Sequence, residues 1–194
     1  VCVTVWLVRP NEIVTQTRWG VHANRLGRPR TRWGGGGSHT VRRMTAVVMD
    51  GNALRDEIIV GLRTRIEEAG SPAICLATVL VGDDGPSQRY VRMKHAKAAE
   101  AGLTSRHVDL PSSATQAEVE SVVRELVADH QVHGILVQLP LPDGLDPEPV
   151  IDLIPPEKDV DGLTERSMGR LVRGRPGLVG CTPLGVMRLL ERYD

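Results

Sequence analysis

Four side chains that can take part in chemistry share one face of a predicted helix. Ser87, Tyr90, Lys94 and Lys97 are three, four and three residues apart, and residues at such spacings lie on the same side of a helix. A hydroxyl, a phenol and amines would therefore line up along one face, with Lys97 outermost and expected to be solvated. Taken alone, the pattern is more typical of a solvated helix face that carries ordinary lysines, so other stretches must decide between the two interpretations.

The elements around this helix indicate where its face points. The apolar run Ile74–Val81 predicts a buried strand, and the turn-forming residues 82–86 follow it directly. Ser87 is expected to be the N-cap of the helix, and Gly102 is expected to close it. The polar face would then lie at the C-terminal end of a strand, which is where open α/β sheets bind ligands.

A second buried strand ends in a polar amide. The stretch G-I-L-V-Q-L-P-L-P at 134–142 begins with an apolar run, which is typical of a strand covered on both faces in a parallel sheet. Gln138 stands at its end, where the two following prolines forbid further regular pairing. A buried amide needs hydrogen-bond partners, and it could find them in its own loop or in a ligand. The acidic stretch P-E-K-D-V-D-G at 156–162 follows, and by itself it could be a solvated turn.

The remaining periodicity predicts alternating strands and helices from Met44 onward. Such alternation implies an α/β fold with three layers, α/β/α, around a mostly parallel sheet. Besides the elements above, we predict strands at Ala46–Met49 and His107–Leu110, and helices over 52–69, from Ser112 or Ser113 to about His130, from Asp146-Pro147 to Pro155, and over Pro183–Tyr193.

Composition limits the class of protein. The chain has 194 residues, 41% of them hydrophobic, which suits one domain or slightly more. It contains no apolar run of the roughly 18 residues that a transmembrane helix needs. Its three cysteines are far apart and the histidines are scattered, which argues against a zinc site or a disulfide scaffold and favours a reducing cytosol. We therefore expect no metal, no membrane and a cytoplasmic location.

The zero net charge conceals two unlike parts. Residues 1–43 hold eight Arg, one acidic residue and all three Trp, without an amphipathic period. We interpret 1–43 as a non-native or disordered leader and 44–194 as the folded domain. Two alternatives remain open: an organelle transit peptide, although the leader has a single Ser, and a nucleic-acid-binding tract. Nothing else in the sequence favours nucleic acid as a partner.

Three signatures together make a family resemblance. They are Val81-Gly82 with the Ser87, Tyr90 and Lys94 helix, the 134–142 stretch and the 156–162 stretch; C-T-P-L-G at 181–185 is a weaker fourth. In order and spacing they resemble the catalytic domain of bifunctional methylenetetrahydrofolate dehydrogenase/methenyltetrahydrofolate cyclohydrolase, the FolD family. The resemblance covers Met44 to Asp194. It implies NADP-dependent oxidation of methylene-tetrahydrofolate, followed by hydrolysis of the methenyl product to formyl-tetrahydrofolate.

The resemblance also implies roles for individual residues. Lys94 matches the catalytic lysine, Tyr90 a folate-contacting tyrosine with a part in catalysis, and Gln138 the glutamine that hydrogen-bonds the lysine and lies against the substrate. Asp161 matches the aspartate that holds the pterin ring, and Ser87 a serine of the same site. These roles are chemically reasonable, because a lysine acts as a base only when partly neutral, and burial favours the neutral form. A carboxylate can accept two hydrogen bonds from an aminopyrimidine edge.

The resemblance further implies a homodimer and an NADP-binding Rossmann domain that this sequence does not show. The chain contains no G-x-G-x-x-G, so we expect the catalytic domain without its cofactor domain, with Thr182 as a residue that could touch NADP in an intact enzyme. Two departures from the family pattern, at Gly85-Pro86 and at Gly180, are expected to loosen local turns. The alternatives are a fragment or pseudoenzyme that folds without turnover, and an α/β module that binds a phosphate ligand through Tyr90 and Lys94.

Overall fold

The computed structural model describes residues 8–9, 12–13 and 46–193. Two short strands, β1 (Val8–Arg9) and β2 (Glu12–Ile13), pair antiparallel. The other residues of the predicted leader lie outside the described residues. The proposed domain boundary at residue 44 lies outside them too, so it stays a prediction. The elements that follow are α1 (Gly51–Glu68), β3 (Cys75–Val81), α2 (Gly85–Glu100), β4 (Thr104–Leu110), α3 (Gln116–Ala128), β5 (Gly134–Val137), α4 (Pro147–Asp152), α5 (Glu165–Val172) and α6 (Cys181–Tyr193).

The sheet has three parallel strands in the order β4-β3-β5. In its register Val81 lies opposite Leu110, and Val79 lies opposite Val137. The strands therefore end together at one edge, and the segments that follow β3 and β5 start side by side. The predicted α/β class with a parallel sheet is confirmed.

Successive side chains of β3 point to opposite faces of the sheet, and both faces are covered. Ala77, Val79 and Val81 belong to the larger core cluster, which includes the buried valines of α3 and Val150 of α4. Thr78 points the other way, toward α2. A smaller cluster of Ile59, Leu62 and Ala101 joins α1 to the end of α2. Helices thus cover both faces of the sheet, as the three-layer prediction requires.

Two predicted helix starts are wrong because better caps lie nearby. Asp84, not Ser87, is the N-cap of α2, and it accepts a hydrogen bond from the Ser87 amide at 2.8 Å. Gly85 and Pro86 form the first turn of that helix, where proline needs no partner for a missing N–H, so they do not loosen a turn. Thr115, not Ser112 or Ser113, begins α3, because it forms a reciprocal capping box with Glu118.

Other differences concern short segments. Residues 46–49 are exposed and form no strand, because these four consecutive apolar residues find no strand to pair with among the described residues. Helix α5 was not predicted, because its eight residues are few and its apolar stripe of Met168, Leu171 and Val172 is short; its one buried residue is Ser167. Helix α6 begins two residues before the predicted Pro183. The helix after Asp146 is confirmed, with that aspartate as its N-cap.

Candidate active site

Helix α2 presents Tyr90 and Lys94 one turn apart near the C-terminal end of β3. Lys94 Nζ lies 5.1 Å from the centroid of the Tyr90 ring, within the range of a cation–π contact. Tyr90 is 41% exposed and Lys94 is half-buried. An aromatic face and an amine are therefore open together on one side of the helix.

Gln138 meets this lysine from the end of β5. Its backbone amide donates to Val79 of β3 at 2.9 Å, which holds the residue at the strand end. Its side-chain Nε2 donates to the carbonyl of Leu139 at 2.6 Å, and Oε1 accepts from Lys94 Nζ at 3.3 Å. Because the amide nitrogen is used within the chain, the amide oxygen faces the lysine. The predicted contact between Gln138 and Lys94 is present.

The loop 157–162 runs beside β5 and brings Asp161 to the same place. The Ile135 amide donates to the Lys158 carbonyl at 2.8 Å, and Ile135 forms a parallel bridge with Asp159. Burial raises the pKa of Asp161 above its usual value, and the neighbouring Asp159 adds to that rise, whereas Lys94 and the thiol of Cys181 oppose it. Asp161 is thus a largely buried carboxylate whose charge is only partly compensated by the chain.

Buried polar groups hold this loop in shape. Asp159 is 2% exposed, and its two carboxylate oxygens accept from the amides of Leu163 at 3.2 Å and Thr164 at 2.9 Å. Lys158 Nζ donates to the carbonyls of Val127 and Asp129, both at 2.8 Å, at the C-terminal end of α3. These two neighbouring side chains tie the loop backbone to separate parts of the fold, which fixes where the rest of the loop lies.

Gly162 lets a later segment cross the loop. It has a φ of +64°, and a Cβ at this position would lie 2.7 Å from the carbonyl carbon of Val179 and 2.9 Å from the amide nitrogen of Gly180. Only glycine allows this approach. The crossing segment leads into Cys181, whose Sγ lies 3.6 Å from Asp161 Oδ1 and 3.4 Å from the Val160 carbonyl.

Two predicted site residues lie apart from this group. Ser87 is 5% exposed, and its hydroxyl and amide both hydrogen-bond the Asp84 carboxylate, which lowers the pKa of Asp84. Its side chain is therefore engaged in the first turn of α2. Thr182 is exposed in the first turn of α6, and its neighbour Cys181, to which the sequence assigned no role, is the residue that contacts Asp161. Its position in the C-T-P-L-G signature was the available signal.

Lys97 does not share the surroundings of Lys94. Its Nζ donates to both carboxylate oxygens of Glu100, at 2.8 and 2.7 Å, and its side chain is 21% exposed. It is therefore an ion-paired lysine on the flank of α2 rather than the freely solvated one that we predicted. The two lysines make a matched pair for experiment, because they share a helix and differ in their partners.

Other kinds of site find little support in the described residues. Within 46–193, together with the four leader residues that the structure describes, no group of three or more His, Cys, Asp or Glu side chains could hold a metal ion. In that same part of the chain no helix is long and apolar enough to cross a membrane.

A parallel α/β domain with an amine, an amide and a partly buried carboxylate converging at the strand ends is typical of the class of α/β domains that bind a ligand there. The family is defined more closely by sequence. Residues 49–161 match the model of the family described as tetrahydrofolate dehydrogenase/cyclohydrolase, catalytic domain, and the chain belongs to this family. The resemblance seen in the sequence is confirmed.

Solved structures agree with this assignment. A bifunctional FolD methylenetetrahydrofolate dehydrogenase/cyclohydrolase from Campylobacter jejuni is 40% identical with a TM-score of 0.72, over 75% of this chain and 52% of that one. A methylenetetrahydrofolate dehydrogenase from the silkworm Bombyx mori is 37% identical with a TM-score of 0.75, over 77% of this chain and 52% of that one. A Trypanosoma brucei dehydrogenase-cyclohydrolase, solved with NADP cofactor and inhibitor, is 36% identical with a TM-score of 0.71, over 76% and 52%. The chain thus spans about half the length of these relatives.

Proposed function

We propose that this chain forms the folate-binding catalytic domain of an enzyme of one-carbon metabolism. The reactions are the oxidation of methylene-tetrahydrofolate to methenyl-tetrahydrofolate and its hydrolysis to formyl-tetrahydrofolate. The observation that carries the proposal is the convergence of Lys94 with Gln138 at 3.3 Å and with the buried Asp161, in a chain of this family. The proposed substrate is therefore a reduced folate.

Hydrolysis of the methenyl bridge needs a water made nucleophilic beside a cation. In the proposed mechanism Lys94 Nζ, in its neutral form, takes a proton from that water and returns one to a ring nitrogen as the bridge opens. The Gln138 oxygen orients the amine through the hydrogen bond described above without adding charge.

Asp161 is proposed to hold the pterin. An ionised carboxylate has two acceptor oxygens, and an aminopyrimidine edge offers two parallel N–H groups. Burial makes an incompletely compensated carboxylate costly, and a ligand that supplies both donors removes that cost. Tyr90, whose ring is 41% exposed, supplies a flat apolar face for the aromatic part of the folate.

NADP is the cofactor that we propose for the whole enzyme, by family and because the Trypanosoma brucei relative was solved with NADP. The described residues do not fit a dinucleotide. Helix α6 follows a loop rather than a strand, and Thr182 offers one exposed hydroxyl there. Dinucleotide sites instead use a glycine turn between a strand and a helix. We therefore derive no hydride-transfer step, and we expect the purified chain not to reduce NADP.

The assembly and location are proposals of the same kind. We propose a homodimer for the whole enzyme and a cytoplasmic location, supported by a sequence with three widely spaced cysteines. Cys75 and Cys181, the two cysteines that the structure describes, are not joined in a disulfide. We propose no nucleic acid and no membrane as partners.

The test compares two lysines in an enzyme made by fusing this chain to the C-terminal half of a solved relative. Loss of methenyl-folate absorbance measures hydrolysis. We expect Lys94→Met to slow hydrolysis by ~10²–10⁴-fold, the usual contribution of a general acid–base group, with folate binding largely retained. Lys97→Met should change the rate little, because that amine is paired with Glu100.

Two results would contradict the proposal. Equal damage from the two lysine variants would mean that the site is wrongly assigned. A wild-type fusion that binds folate without hydrolysing it would favour the non-catalytic alternative.

A further inference from the structure

A second polar cluster lies where α2 packs on the sheet. The Thr78 hydroxyl of β3 is 2.7 Å from Nε2 of His95 on α2 and 2.9 Å from Nδ1 of His107 on β4. His107 Nε2 is in turn 2.7 Å from Asp109 Oδ1. The two imidazole rings are 5.2 Å apart and nearly perpendicular. Four side chains therefore form one continuous hydrogen-bonded chain across three elements.

The number of available protons fixes which group donates and which accepts in each of these hydrogen bonds. An ionised carboxylate only accepts, so His107 must carry its proton on Nε2 to pair with Asp109. In neutral His107 the other nitrogen, Nδ1, is then an acceptor, and the single hydroxyl proton of Thr78 must point to it. Thr78 has no second proton for His95, so His95 Nε2 must donate to the Thr78 oxygen. Both histidines are thereby fixed in the Nε2–H tautomer.

The order carboxylate, imidazole, hydroxyl is also that of a nucleophilic triad. The Thr78 hydroxyl cannot act as a nucleophile, because Thr78 is 0% exposed and its oxygen is already hydrogen-bonded to a second imidazole. No substrate atom can approach it. A buried hydroxyl that is satisfied on both sides serves instead to hold its neighbours in place.

The neighbour that this series of hydrogen-bonded side chains holds in place is α2, the helix of the candidate site. His95 directly follows Lys94 in α2, and Thr78 and His107 lie on adjacent parallel strands at matched register. We propose that Thr78 is a positioning residue: through the directed chain His95–Thr78–His107–Asp109 it fastens α2 to the sheet beside Lys94, and this attachment weakens when His95 becomes charged. The proposal concerns the attachment of α2 and does not depend on the folate chemistry.

The expected pH dependence follows from the groups that face His95. These are Thr78 on β3 and His107 and Asp109 on β4. Burial lowers the pKa of His95, a charged His107 lowers it further, and Asp109 opposes both. A histidine whose pKa is lower in the folded chain stabilises the fold least at low pH, because the unfolded chain then binds the extra proton. The attachment is therefore complete above the usual histidine range and weakens as pH falls through it.

Removal of His107 provides the sharpest test. In His107→Ala the Thr78 proton has no acceptor on β4, so it should turn to His95 Nε2 and convert His95 to the Nδ1–H tautomer. The measurement is long-range ¹H–¹⁵N NMR of the 194-residue chain, which distinguishes the tautomers. His130 is exposed, so His130→Ala is the matched control and should leave the signals of His95 unchanged. An unaltered Nε2–H tautomer of His95 in His107→Ala would overturn the proposal, as would a wild-type His95 in the Nδ1–H form.

Hydrogen exchange tests the attachment itself. Between pH 7.5 and 5.5 the α2 amides of the wild-type chain should lose protection relative to those of α3 by roughly five- to tenfold, the effect of about one hydrogen bond. Thr78→Val, which keeps the shape and removes the hydroxyl, should lower the protection of the α2 amides relative to those of α3 already at pH 7.5. Wild-type protection of α2 in that variant would contradict the proposal. A wild-type helix whose relative protection does not change with pH would contradict the proposal. If Thr78→Val does not fold, the same loss of α2 protection at pH 7.5 is expected in His107→Ala, whose side chain is partly exposed.

Discussion

Helix α2 and the loop 157–162 both supply the candidate site, but they are held in place differently. Tyr90 and Lys94 come from consecutive turns of a regular helix whose own backbone hydrogen bonds fix their spacing. Asp161 comes from irregular backbone, and its position depends on the buried Asp159 carboxylate, the Lys158 amine and the crossing at Gly162. The lysine side of the site should therefore tolerate neighbouring substitutions, whereas the aspartate side should not.

The largest stability effect is expected at the crossing. In Gly162→Ala the left-handed backbone costs about 1–2 kcal/mol for a residue with a Cβ, and the overlap with the 179–180 backbone adds to this. We expect the unfolding free energy, measured with denaturant, to fall by more than 2 kcal/mol, roughly the upper part of the range for point mutants.

Gly169 provides the control for this substitution. It lies inside α5, and a Cβ there would meet nothing within 4 Å. Gly169→Ala should leave the stability unchanged or raise it by up to about 1 kcal/mol, since alanine favours helix over glycine. Equal effects of the two substitutions would show that the loop crossing does not control stability.

A smaller loss is expected when the loop is detached from α3. Lys158→Met removes two hydrogen bonds to carbonyls at the C-terminal end of that helix, and we expect a loss of about 1–2 kcal/mol in thermal or denaturant unfolding. Lys97→Met, which removes an exposed ion pair on α2, should cost at most ~1 kcal/mol. If Lys97→Met lost more unfolding free energy than Lys158→Met, the inference that the loop depends on its side-chain contacts more than α2 does would be contradicted.

The smallest expected effect on stability is a gain rather than a loss. Burial raises the pKa of Asp161, so its neutral form is favoured in the folded chain, and its contribution to stability is lost as pH rises from the unfolded value through the folded one. Asp161→Asn should therefore slightly raise the melting temperature at pH 7 and flatten the pH dependence of stability above pH ~4. Asp143→Asn, at an exposed turn, should do neither. A lower melting temperature for Asp161→Asn at pH 7 would show that the carboxylate is well compensated.

The sequence predicted the helix side of the site and part of the loop side. Tyr90 and Lys94 follow from helical periodicity, and Gln138 follows from the end of a continuous apolar strand, because both patterns are local. The meeting of Lys94 and Gln138 at 3.3 Å could be expected from parallel strands that end at one edge. Asp161 was found only through the resemblance, since an acidic loop by itself does not reveal which of its carboxylates lies near Lys94.

The errors have two physical causes, a competing local cap and contacts between segments that are distant in sequence. Ser87 was a suitable cap by type, but Asp84 has a carboxylate that accepts more strongly and lies three residues earlier. Cys181 and the hydrogen bonds of Asp159 depend on which segments cross in space, and no periodicity encodes a crossing. The Thr78 cluster was missed for the same reason, because its members come from three elements that only the fold brings together.

Folate binding by the chain itself is the most direct test of the central claim, which is that residues 46–193 form a folate site around Asp161. A folate analogue should be titrated into the 194-residue chain, with calorimetry as the readout. We predict saturable binding that Asp161→Asn weakens about tenfold or more, as expected for loss of a charge-assisted pair, and that Asp143→Asn leaves unchanged. A folded chain that does not bind the analogue, or one that binds it equally well without the Asp161 carboxylate, would contradict the account.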